Sequence, residues 1–302
     1  MYFELYLPHV INNEMPELPE VQTTVSGLQK VLPGLKIANI WTDLAVKKPS
    51  LRYFDQTLKN LAYFNKFKKI VEGQKIKKVE RLAKNILIFL TNGPVILIHL
   101  KMTGNLLYGE YLPKQKYIHV IFNLSNDKQL ALRDLRKFGK VTLLNEPVEN
   151  SIHLKDLGPE PLEKTFTLTR FKNRLQTRPN SKIKSVLMDP KVIAGIGNIY
   201  SDEILWATGI HPEQKIKLIP EEKLKLIFKF IKKILKEGVK LGGDSTSDYR
   251  NIYDQKGNFQ NTHKAYRLTG KPCAKKDGGA IIRIKVGGRS AHYCPKHQKL
   301  LN

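Results

Sequence analysis

A change of hydrophobic period near the middle of this 302-residue chain constrains its fold more than any other feature. Before about residue 147 the apolar residues fall in short β-rich runs: Lys36–Trp41, Asn85–Leu90, Val95–Leu100, Ile118–Asn123 and Leu130–Arg133. Asn92-Gly93 between two of these runs is a two-residue hairpin signal. One helix precedes them. Val21, Val25, Leu28 and Leu32 recur at helical spacing from Glu20 to Leu32, and Pro33-Gly34 ends the run. Around Pro147–Pro161 the chain turns turn-rich, with Gly158-Pro159-Glu160-Pro161 as the expected hinge. Beyond it the period is helical, at Lys182–Met188, Asp202–Ala207 and Glu221–Leu241. The last of these carries Leu224, Ile227, Phe228, Ile231, Ile234 and Leu235 on one face and lysines on the other, read as a solvated surface.

From about Gln260 onward, short strands and glycines surround the only two cysteines, which suggests a small stapled module. The expected architecture is α+β and multidomain. An N-terminal extension (1–15) precedes a β-sandwich with a flanking helix (16–147) and a hinge (148–161). A helical domain (162–259) and a C-terminal β-hairpin module (260–302) follow.

Charge narrows the partner. Fifty-two basic residues against 27 acidic ones leave a formal net charge of +25, which calls for a polyanion. That balance alone suits a ribosomal or chromatin binder equally well. Two cysteines cannot build a disulfide framework; they fit a reducing compartment and raise the question of a metal. The apolar runs are too short to span a membrane, and the opening MYFELYLPHVINNE lacks the basic start and apolar core of a signal peptide. A cytoplasmic monomer is expected.

Several short strings stand out, each with an ordinary reading beside it. Met15-Pro16-Glu17-Leu18-Pro19-Glu20-Val21 is a serviceable helix start, since Pro and Glu suit a first turn. Lys84, closing Arg81-Leu82-Ala83-Lys84 at a strand start, reads as surface charge. The apolar residues of His99-Leu100-Lys101-Met102-Thr103-Gly104 and Asp134-Leu135-Arg136-Lys137-Phe138-Gly139 read as core filler. Ala194-Gly195-Ile196-Gly197-Asn198-Ile199-Tyr200 leads into the helix expected from Ser201 to Ala207, where glycines let backbone N–H groups approach a phosphate. Cys273, Asp277, Cys294 and His297 lie around a hairpin and offer two thiolates, a carboxylate and an imidazole, a set able to bind zinc tetrahedrally.

Together and in this order, from Met15 to about Gln298, these strings resemble the formamidopyrimidine-DNA glycosylase family. The resemblance implies a β-sandwich, a helix–two-turn–helix element over Lys184–Gly209 and a zinc-finger-like hairpin, with damaged duplex DNA between the halves. It implies a bifunctional glycosylase and lyase of base excision repair that removes 8-oxoguanine and formamidopyrimidines through a Schiff base and β,δ-elimination.

Pro16 becomes the nucleophile, provided translation starts at Met15 or the fifteen preceding residues are removed, and Glu17 the general acid–base. Lys84 holds a phosphate beside the lesion; Met102, Arg136 and Phe138 fill the hole left by the flipped base. Asn198 and Arg289 grip the backbone, and Cys273, Asp277, Cys294 and His297 take the places of the zinc ligands. His292, on the opposite strand face, is a spare ligand. Leu135 and Lys137 depart from the family's Asp-Pro-Arg-Arg-Phe-Gly without touching the three wedge residues.

Pro-Glu-Leu-Pro-Glu resembles the purine-selective branch, and Gly242–Gln260 could supply a loop over an extruded purine. The alternatives are an oxidised-pyrimidine glycosylase, or a catalytically silent lesion binder with Pro16 still inside the chain.

Overall fold

The computed structural model describes residues 15–49, 55–144 and 147–301; residues 1–14 of the expected extension lie outside the described residues. Two four-stranded antiparallel sheets form the first half. One has the order β1 (Ile37–Thr42), β6 (Ile118–Leu124), β7 (Gln129–Asp134), β5 (Gly104–Gly109); the other runs β2 (Ile76–Leu82), β3 (Asn85–Leu90), β4 (Val95–His99), β8 (Lys140–Leu144). Their inner faces meet in one core that includes Ile37, Ile40, Val79, Ile86, Ile88, Ile96, Ile98, Phe122 and Leu132. Strand alternation puts these residues on a shared face.

The helix expected near Glu20 is α1 (Leu18–Val31), and it serves both halves. Val21, Val25 and Leu28 enter the sandwich core, whereas Leu18 enters a second core. That second core joins α3 (Leu168–Gln176), α4 (Ile183–Leu187), α5 (Asn198–Thr208) and α6 (Glu221–Lys240). Its contents include Phe166, Phe171, Tyr200, Ile204, Ile227, Ile231 and Leu235. Gly209, at φ 67°, ends α5 in the left-handed conformation that a side chain would resist. The C-terminal hairpin pairs β9 (Ile282–Val286) with β10 (Arg289–Tyr293) across Gly287-Gly288, both at positive φ, the tight two-residue turn that glycine favours.

The structure adds elements that the periodicity does not pick out: α2 (Leu61–Val71), α3, β2, β5 and β8. It also moves one boundary, because α5 begins at Asn198 rather than Ser201. The segment expected to act as a hinge is fastened on both sides. Gly158 donates to the Pro190 carbonyl and Ala194 to that of Pro159, at 2.8 and 3.1 Å. Glu160 reaches the other way, to Arg81 at 2.6 Å. Among the described residues, no helix is long and apolar enough to cross a membrane.

Candidate active site and nucleic-acid interface

Glu17 sits where α1 begins, and its amide donates to the Glu20 carboxylate at 2.7 Å, as in a capping box. Its own carboxylate crosses to the second half of the chain. It accepts the amides of Gly197 at 2.6 Å and Ile199 at 2.9 Å, at the start of α5. Those N–H groups, with the positive end of the helix, make a ready anion site. This corrects the expectation that the glycine-rich loop offers its amides to a phosphate: two of them are engaged by Glu17. The glycines are needed for that approach. A Cβ on Gly197 would lie 2.4 Å from the Glu17 carboxyl carbon, and one on Gly195 2.7 Å from Leu18.

Glu20 lies fully buried behind this point, accepting the Tyr200 hydroxyl and the Asp244 amide, both at 2.7 Å. Burial pushes its carboxyl up to about 7, against the pull of those donors.

Lys84 directly precedes β3, as the sequence suggests. Leu82 pairs with Asn85, so Ala83 and Lys84 are the two residues of a tight turn, with Ala83 at φ 54°. The turn is clamped from below. Arg81 donates to the Ala83 carbonyl at 2.9 Å and to Gln22 at 2.8 Å, and pairs with Glu160, whose carboxylate also accepts the Ala83 amide.

The wedge candidates stand on two neighbouring turns held by one carboxylate. Asp134 accepts the Thr103 hydroxyl at 2.5 Å and the Gly139 amide at 2.6 Å, while the Arg136 amide donates to Thr103 at 3.0 Å. The Arg136 guanidinium lies 4.8 Å from the Phe138 ring centroid. Phe138 is 41% exposed and Leu135 49%, both at the tip of a turn rather than in a core.

Asn198 donates to the Ser290 hydroxyl at 3.2 Å, tying the start of α5 to the hairpin strand that opens with Arg289. A cavity of about 160 Å³ then collects the set: Met15, Glu17, Lys84, Met102, Met188, Gly197, Asn198 and Arg289 line it. Pro16 is buried between two of these lining residues. Arg136 and Phe138 are not among the lining residues; they stand on the turn bonded to the one that carries Met102.

Cations that sequence reasoning did not single out back this region. Burial, with the charge of Lys101, lowers the ammonium groups of Lys59 and Lys140 to about 8. Burial and the charges of Lys101, Lys84 and Lys140 hold His99 neutral, down to about 3, and its Nδ1 accepts the Lys101 amide at 3.0 Å. A local excess of positive charge suits a phosphate, but no spacing rule links residues so far apart in sequence.

The four metal candidates also converge. One donor atom each from Cys273, Asp277, Cys294 and His297 lie within 4.8 Å of one another. The Cys294 Sγ is 3.5 Å from Asp277 Oδ2, and the Cys273 Sγ is 3.7 Å from His297 Nδ1. The Trp206 carbonyl, 3.2 Å from His297 Nε2, can fix the ring so that Nδ1 faces the cluster. The Gly279 amide, then the imidazole, hold the Asp277 carboxyl down at about 2, so it is available as an anion. This donor set fits tetrahedral zinc. His292 takes no part; it is buried against Asp202 at 2.8 Å.

Comparison with known proteins decides the family. The model of the formamidopyrimidine-DNA glycosylase N-terminal domain matches residues 15–141, and that of the formamidopyrimidine-DNA glycosylase H2TH domain matches residues 157–250. A formamidopyrimidine-DNA glycosylase of Pelotomaculum thermopropionicum is 38% identical over 290 residues, covering 95% of this chain and 100% of the relative. The chain belongs to the formamidopyrimidine-DNA glycosylase family. A Streptococcus thermophilus formamidopyrimidine-DNA glycosylase is 37% identical over 287 residues, 94% of this chain and 100% of its own length.

Solved structures agree on the fold. The Lactococcus lactis Fpg in complex with abasic-site DNA superposes with a TM-score of 0.82 at 32% identity, covering 94% of this chain and 99% of that one. MutM bound to DNA with carbocyclic 8-oxo-G gives 0.82 and 32%, covering 94% and 100%. As a member of this family the protein is a DNA glycosylase of base excision repair, and abasic-site lyase activity is typical of the family. Structural zinc is a family property that the Cys/Asp/His cluster could serve here.

Proposed function

We propose that the mature enzyme begins at Pro16, excises 8-oxoguanine and formamidopyrimidines from duplex DNA, and breaks the strand through an iminium on that proline. The observation that carries this reading is the cavity where Glu17, Lys84, Met102, Asn198 and Arg289 converge from both halves of the chain.

A terminal secondary amine titrates at about 8, so part of it is neutral near pH 7 and can attack the sugar C1′. The base leaves with the bonding electrons; the proton shed by the attacking amine passes to the Glu17 carboxylate, which returns it to the ring oxygen as the sugar opens. The resulting iminium has no N–H to lose, so it stays an electron sink and acidifies C2′. Loss of that proton expels the 3′ phosphate, and a second elimination expels the 5′ phosphate. An amide nitrogen inside a chain has no basic lone pair for the first step. The family match begins at residue 15, one before the proline, which supports a start at Met15 followed by methionine removal.

Lys84, Asn198 and Arg289 are assigned to backbone phosphates, and Met102, Arg136 and Phe138 to the space vacated by the extruded base. Affinity for an abasic-analogue duplex should fall linearly on log–log axes as salt rises, by about 0.9 per phosphate neutralised. Arg289→Ala should weaken binding to all sequences alike and flatten that slope by about 1. A slope unchanged by Arg289→Ala would remove this arginine from the interface.

Purine selectivity rests on Pro16-Glu17-Leu18-Pro19-Glu20 and on the Gly242–Gln260 segment. That segment is docked over the sandwich. Ile252 is 1% exposed in the sandwich core, and Asn105 accepts the Arg250 amide at 2.7 Å while donating to the Asp248 carbonyl at 3.2 Å. Arg133 and Asp254 pair at 2.5 Å. A segment held in this way is assigned as the cap over an extruded base. On a panel of lesion duplexes, 8-oxoguanine opposite cytosine should be cut faster than oxidised pyrimidines; the reverse order would reassign the enzyme to the pyrimidine branch.

Cys273, Asp277, Cys294 and His297 are assigned to one structural zinc. When bound, the metal would cross-link the base of the hairpin and take no part in the reaction.

A further inference from the structure

The phosphate-binding assignment leaves unused the most deeply buried charge in the helical half. Lys184, on α4, is 0% exposed. Its three ammonium protons face three acceptors: Asp202 Oδ1 at 2.6 Å, the Ser201 hydroxyl at 3.1 Å and the Asn198 carbonyl at 3.5 Å. Asp202, itself 1% exposed, uses its other oxygen on the hairpin. Oδ2 accepts the His292 amide at 2.9 Å and contacts the His292 Nδ1 at 2.8 Å. The imidazole packs edge-on against Tyr266, ring centroids 5.1 Å apart.

One carboxylate therefore bolts three elements together: α4, the first turn of α5, and β10. Asp202 is one helical turn after Asn198, and His292 is three residues after Arg289 on its strand. Ser290 shares the strand face of His292 and receives the Asn198 amide at 3.2 Å. Beyond the turn, a Cβ on Gly287 would come within 2.5 Å of the Ser185 hydroxyl, so the hairpin tip is seated on α4 as well. With 0–6% exposure, Lys184, Asp202 and His292 have no path to a DNA backbone in the cleft.

A buried ion pair contributes little net stability, because desolvation offsets its Coulomb gain; what it can fix is geometry. We propose that Asp202, held by Lys184 and His292, is a positioning residue that sets the span between Asn198 and Arg289, so that both meet the phosphates of the lesion strand at once. This rests on the phosphate roles proposed above.

The test uses the full enzyme with an abasic-analogue duplex for binding and a lesion duplex for kinetics. Asp202→Asn keeps the shape and removes the charge. It should weaken binding and raise KM roughly tenfold, the loss expected when one charge-assisted contact goes out of register, with kcat changed less than about twofold. In an Arg289→Ala background the same change should cost under about twofold, because the contact it positions is already absent. His292→Asn, which keeps an N–H donor near the Nδ1 position, should bind like the unaltered enzyme, whereas His292→Ala should not.

Should Asp202→Asn fail to fold, the paired change Lys184→Met with Asp202→Leu removes both charges while keeping volume. It should fold and still bind roughly tenfold more weakly. A full tenfold loss on the Arg289→Ala background, or normal binding by the paired variant, would overturn the positioning role. If Asn198→Ala and Arg289→Ala themselves bind normally, the phosphate assignment fails first and this inference falls with it.

Discussion

Protein that begins at Pro16 is expected to be trapped covalently by borohydride on an 8-oxoguanine:cytosine duplex, and protein that retains the fifteen preceding residues is not. The difference should be about 10³-fold or more, because the nucleophile is either present or chemically absent. An acylated proline nitrogen has its lone pair delocalised into the peptide bond and is not basic. Removing the acyl group creates a secondary amine with a useful neutral fraction near pH 7. The surroundings are already in place. Pro16 is buried between cavity-lining Met15 and Glu17, and Glu17 is held by two amides of the opposite half.

Pro16→Gly, expressed from Met15, should sharply weaken the trapped band, since a primary amine gives an imine that sheds its proton and is a poorer electron sink, and it lacks the ring that fixes the nitrogen. Glu17→Gln should lower base release about 10²- to 10⁴-fold while binding persists. A band from the extended protein, undiminished by Pro16→Gly, would place the nucleophile elsewhere. Binding without any band from the Pro16 form would make this chain a silent lesion binder.

How much of this was legible in the sequence depends on the kind of signal. Strands β3, β4, β6 and β7 are read from apolar runs because their residues are buried on the sandwich or beneath neighbouring segments. Strand β2 is not, since Ile76-Lys77-Lys78-Val79-Glu80-Arg81-Leu82 lies at a sheet edge and its charges disguise the alternation. Helices α2 and α3 are lysine- and arginine-rich with two buried residues each, too few for a clear stripe.

The start of α5 was misplaced because Gly195 and Gly197 look like a loop meant for an external anion. The anion is internal, the Glu17 carboxylate, and no local pattern announces a partner 180 residues away. The cavity itself was legible only through the family's motif order. Glu160, Asp134 and Asp202 lie inside strings the sequence does single out, but their roles in holding the site together were not legible, because each also bonds a segment distant in sequence.

Purified enzyme is expected to carry one zinc per chain, and removing it should cost about 100-fold in DNA affinity while leaving the β-sandwich folded. Both thiols are buried, and Cys294 and Asp277 approach each other across the hairpin at 3.5 Å. Without a metal, the carboxylate, imidazole and thiols are linked only by hydrogen bonds, of which a sulfur bond is the weakest kind. With zinc, four ligands lock the base of β9 and β10, and structural zinc sites contribute folding energy outright.

The expected loss stays moderate because the hairpin has a second attachment that needs no metal, where Asp202 grips His292 and Asn198 meets Ser290. Chelation should therefore loosen the end near His297 more than the end near Arg289. The fluorescence of Trp206, whose ring stands edge-on to His297 at 5.7 Å, should report the first change. Cys294→Ser should abolish zinc binding by elemental analysis and reproduce the chelated affinity; Asp277→Asn should weaken zinc retention less, because an amide oxygen can still coordinate. A metal-free enzyme that binds DNA at full affinity and loses it on Arg289→Ala would show that the hydrogen-bonded cluster and the Asp202 joint suffice to present the hairpin.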